Sequence, residues 1–282
     1  MATTDIYNIS GGLKGRRAVA FIGGAVDDGV QIDELASDRV TANDTKGTIT
    51  AWINVPDTTG TYCIIGFGDA NAVDYIYLAV VAGKIQAKCA RAGPNVAWDV
   101  ITTNIVLKPH LWYHIALVQD AVKPKIYVDG VEYSLAKGTL TETDVTEPTF
   151  WFDTCSGIDG AHIGAADSIA GDAALTLEFK GAISDVKYWN VDLTDAQVYD
   201  DYQGINNTTS LISHYDFDGD YLDSVTANNN DGTAVGDIIL TNNYSEFTSR
   251  FRNTLAAAPV VADKVLFTSD NGTGYAIVIK AA

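Results

Sequence analysis

Apolar and polar residues alternate in short runs along most of this chain. Runs at 18–22, 30–32, 48–55, 62–67, 75–81, 84–90, 97–105, 112–119, 125–128, 150–152, 162–164 and 175–189 carry Val, Ile, Tyr, Phe and Trp, with Gly, Asp, Asn and Pro between them. A period of two with β-branched and aromatic residues predicts strands. Many short strands with few helical patterns between them predict an all-β, antiparallel sandwich. One helix is predicted: Thr194 stands three residues before Gln197, a capping box, Asp195 adds negative charge to the first turn, and Gly204 ends it. Near the end, 264–268 and 275–279 read as a hairpin around Asn271-Gly272.

The organisation that follows is an arm over 1–17, a sandwich over 18–240 and an extension with a hairpin over 241–282. The run at 211–217 opens a segment too short for a second domain. It is expected to complete the sandwich, because first and last strands of such folds lie side by side. An isolated hairpin is marginal in water and has to pack on the sandwich or on a neighbour.

Two runs, Trp112-Tyr113-His114-Ile115-Ala116 and Lys125-Ile126-Tyr127-Val128-Asp129-Gly130, carry the most specific pattern. With Ile49-Thr50-Ala51-Trp52-Ile53, His162-Ile163-Gly164, Gly181-Ala182-Ile183-Ser184-Asp185-Val186, Tyr188-Trp189 and the helix after Leu193, they resemble the laminin-G-like, concanavalin A-like jelly-roll family over roughly residues 18–240. The resemblance implies a jelly-roll β-sandwich with one short helix and two arms, and a binding or structural module. Trp52, Trp112 and Trp189 are expected to fill the core, and Trp112→Ala to cost about 3–5 kcal/mol. His114 is expected to be structural.

The pattern is also similar to pentraxins, whose calcium loops follow two of these strands. By position those loops are 68–74 and 164–168, and the ligands implied are Asp69, Asp74 and Asp167, with Asn71 in reach. Ala165 and Ala166 stand where that family has ligands. Calcium is the only cofactor expected. A second acidic group, Asp216, Asp218, Asp220 and Asp223, lacks an EF-hand glycine at the required place and reads as a turn.

The formal net charge is -18, yet only 19% of residues are charged, so this is an acidic folded body and not an acidic tail. Such a field disfavours nucleic acid, which takes basic grooves. No apolar run reaches the roughly 18 residues of a membrane span, and the start lacks a signal-peptide pattern. The protein is therefore expected to leave its cell by a route such as lysis, or to be a mature form. The three cysteines, Cys63, Cys89 and Cys155, show no zinc spacing. Cys63 and Cys89 read as buried thiols, with a bridge between them left as the alternative.

Catalytic spacing occurs once, and not in a strand pattern. The related β-glucanases place two Glu and an Asp as Glu-x-Asp-x-x-Glu on one strand; of the six Glu here, at 34, 132, 142, 147, 178 and 246, only Glu142 and Glu147 have that spacing, with Asp144 between them, and they stand outside the strand runs. No catalytic residues are assigned. The first expectation is a non-enzymatic virion structural protein, a phage capsid decoration or tail-fibre component on the virion surface, in a homo-oligomer with other virion proteins. Lys14, Arg16 and Arg17, three of 18 basic residues, would seek acidic surface on a sister subunit. The alternative is a secreted or cell-surface carbohydrate-binding module, extracellular, with Trp98 and Trp151 as stacking platforms for a glycan. The third is a glycoside hydrolase with an unrecognised Asp pair.

Overall fold

The computed structural model describes residues 16–21, 27–68, 74–91, 95–137, 147–167, 175–244, 264–270 and 273–279. In chain order the elements are β1 (Arg16–Phe21), β2 (Gly29–Gln31), α1 (Asp33–Ala42), β3 (Gly47–Asn54), β4 (Thr61–Gly68), β5 (Tyr75–Val81), β6 (Lys84–Arg91), β7 (Asn95–Thr102), β8 (Trp112–Gln119), β9 (Pro124–Val128), β10 (Val131–Glu132), β11 (Leu135–Lys137), β12 (Gly160–Ile163), β13 (Gly181–Trp189), α2 (Asp195–Tyr202), β14 (Leu211–Tyr215), β15 (Thr233–Val235), β16 (Ile238–Tyr244), β17 (Lys264–Asp270) and β18 (Thr273–Ile279).

Two antiparallel sheets face each other. The first has the order β10-β9-β8-β3-β13-β1-β16, with β14 on the other half of the β13 edge that holds β1; the second has the order β11-β7-β6-β5-β4-β12-β2-β15. Period-two alternation sends Ile49, Ile53, Ile115, Leu117 and Ile183 from the first sheet, and Val30, Phe67, Ile76, Leu78 and Ile163 from the second, into one shared core. The early strand β1 lies between β13 and the late strand β16, with Val19 opposite Leu240. Asp129 and Gly130, both at positive φ (51° and 76°), make the two-residue turn joining β9 to β10. The pair β17–β18 is an antiparallel hairpin with Val265 opposite Val278.

Several elements differ from the sequence pattern. Residues 150–152 form a turn, not a strand: the amide of Phe150 donates to the Glu147 carbonyl and that of Cys155 to the Trp151 carbonyl. The run at 175–189 enters the first sheet only at Gly181. Before that it crosses the outer face of the second sheet, where the Cys63 amide donates to the Leu177 carbonyl at 2.7 Å. A helix that the pattern did not predict, α1, follows β2. Its N-cap, Ile32, offers no capping side chain, so the local signal is weak. Leu35, Ala36 and Arg39 tie it to the body, Arg39 through Asp44 at 3.3 Å. The predicted helix is α2, with both hydrogen bonds of the Thr194–Gln197 capping box present.

The tryptophans are redistributed. Trp112, expected in the core, is only half-buried at the start of β8. Trp189 is fully buried, as expected, and so are Trp98 and Trp151. Cys63 faces outward from β4, whereas Cys89 faces the core with Cys155 (Sγ–Sγ 3.4 Å). Cys63 and Cys89 therefore stand on opposite faces of the sheet, which rules out a bridge between them, and all three thiols are free.

Candidate functional site

Trp98 and Trp151 do not form a glycan platform. Trp98 is an inward position of β7, opposite Cys89, and both indoles are 0% exposed. They stack on each other at 6.4 Å, with Trp98 Nε1 donating to the Phe150 carbonyl and Trp151 Nε1 to the Tyr188 hydroxyl. With each indole N–H satisfied and each ring packed, these are core residues.

The outer face of the second sheet is where polar chemistry collects. Strand register sets one lateral row across it: Asp99 opposite Lys88, Lys88 opposite Tyr77, Tyr77 opposite Gly66, Gly66 opposite His162, and His162 opposite Gln31. These side chains share a face because directly paired residues in an antiparallel sheet point the same way. At one end, Tyr75 and Tyr77 lie parallel, 5.8 Å apart, and the Lys88 ammonium sits 5.5 Å from the Tyr75 ring centre. Gln86 Nε2 donates to Asp99 Oδ1 at 2.7 Å. Asp99 is only 8% exposed, and its Oδ2 has no hydrogen-bond partner. Burial pushes the Asp99 carboxyl above the usual range, opposed by Gln86 and Lys88.

The other end of the row is built differently. Gly66 lies under the chain at Ala165–Asp167: a Cβ there would meet the Ala166 Cα at 2.7 Å. That contact sets the Asp167 carboxylate beside His162, with His162 Nδ1 3.0 Å from Asp167 Oδ2. Asp33, at the start of α1, completes a group whose ligand-capable atoms lie within 4.8 Å of one another. Of this group the sequence had singled out Asp167 alone; Asp33 and His162 went unmarked, since the three come from a helix start, a strand and a loop.

The calcium expectation fits the described residues poorly. Asp69 and Asn71 lie outside them. Asp74 Oδ2 accepts the Gly157 amide at 3.0 Å, anchoring the turn below β5. Ala165 and Ala166 are fully buried and apolar, and Asp167 faces an imidazole, whereas calcium takes oxygen ligands. The Asp216–Asp223 segment is a turn, as read: Asp216, Asp220 and Asp223 each accept a backbone amide two residues on. Lys14 lies outside the described residues, and Arg16 is described in its backbone alone. Arg17 is exposed and pairs with Asp218 of its own chain, so this basic group has an acidic partner without a sister subunit.

On the first sheet, His114 is buried under α2. His114 Nε2 meets Asp201 Oδ2 at 2.9 Å, and Lys187 Nζ bridges Asp201 at 2.8 Å and Asp185 at 3.1 Å, with His214 on Asp185 at 2.6 Å. Burial raises the Asp185 and Asp201 carboxyls, but their imidazole contacts and the Lys187 charge outweigh it and hold both below the usual range. This chain of charges fastens α2 to the sheet. The acid partner of His114 comes from a helix 87 residues away in sequence, which strand patterning could not show.

Likenesses to known proteins follow this geometry. A family model described as the concanavalin A-like lectin/glucanases superfamily matches residues 23–199. No curated protein matches the sequence. Among solved structures, the CBM40 module of the Ruminococcus gnavus IT-sialidase bound to α2,3-sialyllactose is similar, with a TM-score of 0.51, 12% identity, and 67% of this chain and 98% of that chain covered. A Bacteroides ovatus protein to which carbohydrate binding is ascribed has a TM-score of 0.50 at 20% identity, covering 80% of this chain and 60% of that one. The leech intramolecular trans-sialidase matches over 71% of this chain and 29% of its own, with a TM-score of 0.51 and 14% identity. At these identities the structures speak to the fold alone, and the matched family model covers well over half of the chain. The chain belongs to the concanavalin A-like lectin/glucanase superfamily, in its laminin-G-like branch.

Proposed function

We propose that the protein is a non-catalytic carbohydrate-binding jelly roll that holds a neutral glycan on the outer face of its second sheet, between Tyr75, Tyr77, Gln86 and Asp99. The observation that carries this reading is the orphaned Asp99 Oδ2. A buried acceptor without a donor costs about 1–3 kcal/mol, and a sugar hydroxyl supplies the donor. The adjoining tyrosine pair, 7% and 8% exposed, packs with Cys63, Ala79, Ala90 and Ala166 on this face, so the polar contact at Asp99, more than ring surface, carries the reading. The fold likeness to a CBM40 module and to a Bacteroides ovatus protein of ascribed carbohydrate binding supports the class of ligand. The anionic sialoside of the CBM40 complex is not carried over. Lys88 lies close to the Tyr75 ring and lowers the Asp99 carboxyl, and a chain of net charge -18 repels an anion.

A place on a virion surface, expected from the arms and the acidic charge, gains no support from these likenesses, and the proposal is made without it. The test is a glycan array carrying neutral and sialylated probes, followed by calorimetry. Neutral glycans should bind, and Tyr75→Ala and Asp99→Ala should each weaken binding at least about tenfold while a urea melt stays cooperative. Retention of sialylated probes alone, or full affinity in both variants, would overturn the reading.

A further inference from the structure

We infer that Asp33, His162 and Asp167 form a site for a first-row divalent metal of the zinc type. The proposal stands apart from the glycan reading, since its probe is the metal alone and none of its three residues belongs to the tyrosine end of the row.

The donor set decides the metal class. Two carboxylates and one imidazole suit zinc, cobalt or nickel, whereas calcium and magnesium take oxygen. Three protein ligands with a further position open to water is the form of zinc sites that are not purely structural. Metal–ligand bonds of about 2.0–2.2 Å require ligand-to-ligand edges of roughly 3 to 3.5 Å. The His162 Nδ1 to Asp167 Oδ2 distance, 3.0 Å, already matches such an edge, and all three donors lie within 4.8 Å. Closing the remainder takes a small shift of Asp33 Oδ2 off Gln31, with Oδ1 kept on the Ala161 amide.

The surroundings support the ligands as a metal shell requires. Asp33 Oδ1 accepts the Ala161 amide at 2.9 Å and its Oδ2 accepts Gln31 Nε2 at 2.5 Å, so the carboxylate is held by neighbours on β12 and β2. Such outer contacts orient ligating carboxylates. Room for the other two ligands is made by glycines. A Cβ on Gly160 would stand 2.5 Å from Asp167 Oδ2, and one on Gly29 would stand 3.0 Å from His162 Cδ2. His162 and Asp167 are 6% and 8% exposed, so the charge of a bound dication is only weakly screened by water.

The experiment uses the full chain, stripped with a chelator and titrated with Co2+ in excess Mg2+, which saturates loose acidic surface. Visible d–d bands should rise to one cobalt per chain and be displaced by Zn2+. His162→Gln should abolish the bands. Asp33→Asn, at a half-buried position outside the core cluster, should weaken binding at least about tenfold. Absence of bands in the natural chain, bands that survive both substitutions, or displacement of cobalt by an equal concentration of Ca2+ would each overturn the proposal. If His162→Gln does not fold, Asp33→Asn with the Ca2+ competition on the natural chain carries the decision.

Discussion

Replacing Lys187 by Met keeps the aliphatic stem and removes the ammonium that joins Asp185 to Asp201. Lys187 and Asp201 have side chains 5% and 2% exposed and meet at 2.8 Å. Stripping one partner from a buried pair costs about 3–5 kcal/mol, because the other charge is left without compensation. Asp185 is a quarter exposed and is discounted for solvent screening. His114 and His214 remain in place to serve the two carboxylates, so the lower end, about 3 kcal/mol at pH 7, is expected. With a urea m-value near 3 kcal/mol/M, this lowers the unfolding midpoint by about 1 M. The pH dependence is the sharper check. In the natural protein both carboxyls lie below their usual range, so the network's contribution is complete above about pH 4 and is lost as pH falls through the lower folded values. Without Lys187, burial is opposed by the imidazoles alone and the carboxyl pKa values rise. The variant's penalty is then greatest near neutrality and shrinks as pH falls from 7 toward 4, where the carboxyls take up protons. Urea titrations at pH 7, 5.5 and 4 measure it. A penalty below about 1 kcal/mol at pH 7, or one that grows as the pH is lowered, refutes this account of the network.

The remaining predictions are read from stability and labelling. Trp151→Ala should cost about 3–5 kcal/mol and Trp112→Ala only about 1, since one indole is fully buried and the other is half-buried at a strand start; equal midpoints in a denaturant melt would contradict the assignment. Thr194→Ala should cost about 1 kcal/mol through the lost cap of α2, and Thr194→Ser should restore most of it. Iodoacetamide should leave Cys63, Cys89 and Cys155 unlabelled in the native protein and label all three in denaturant. All are buried, and burial pushes the Cys63 and Cys89 thiols well above their usual range; mass spectrometry showing rapid native labelling would place them elsewhere.

Local rules account for much of what the chain shows on its own. The strands 47–54, 61–68, 75–81 and 112–119 follow from alternation, the β9–β10 turn from Asp129-Gly130, and α2 from the Thr194–Gln197 box, because each depends on residues a few positions apart. The family resemblance was legible for the same reason. Where a feature depended on which face of a strand met the core, sequence was silent. Trp98 alternates as an exposed platform would, but both faces of the second sheet are extensively buried, so period two does not say which one is the core. Helix α1 has a polar sequence and no capping side chain, and it is held by Leu35, Ala36 and Arg39 against the body. The row from Asp99 to Gln31 exists only through lateral register, which orders the strands β7-β6-β5-β4-β12-β2 and not as the chain runs. Asp33, His162 and Asp167 likewise meet because β2 pairs with β12 and a loop closes over Gly66, contacts between segments more than a hundred residues apart that only the packed sheets bring about.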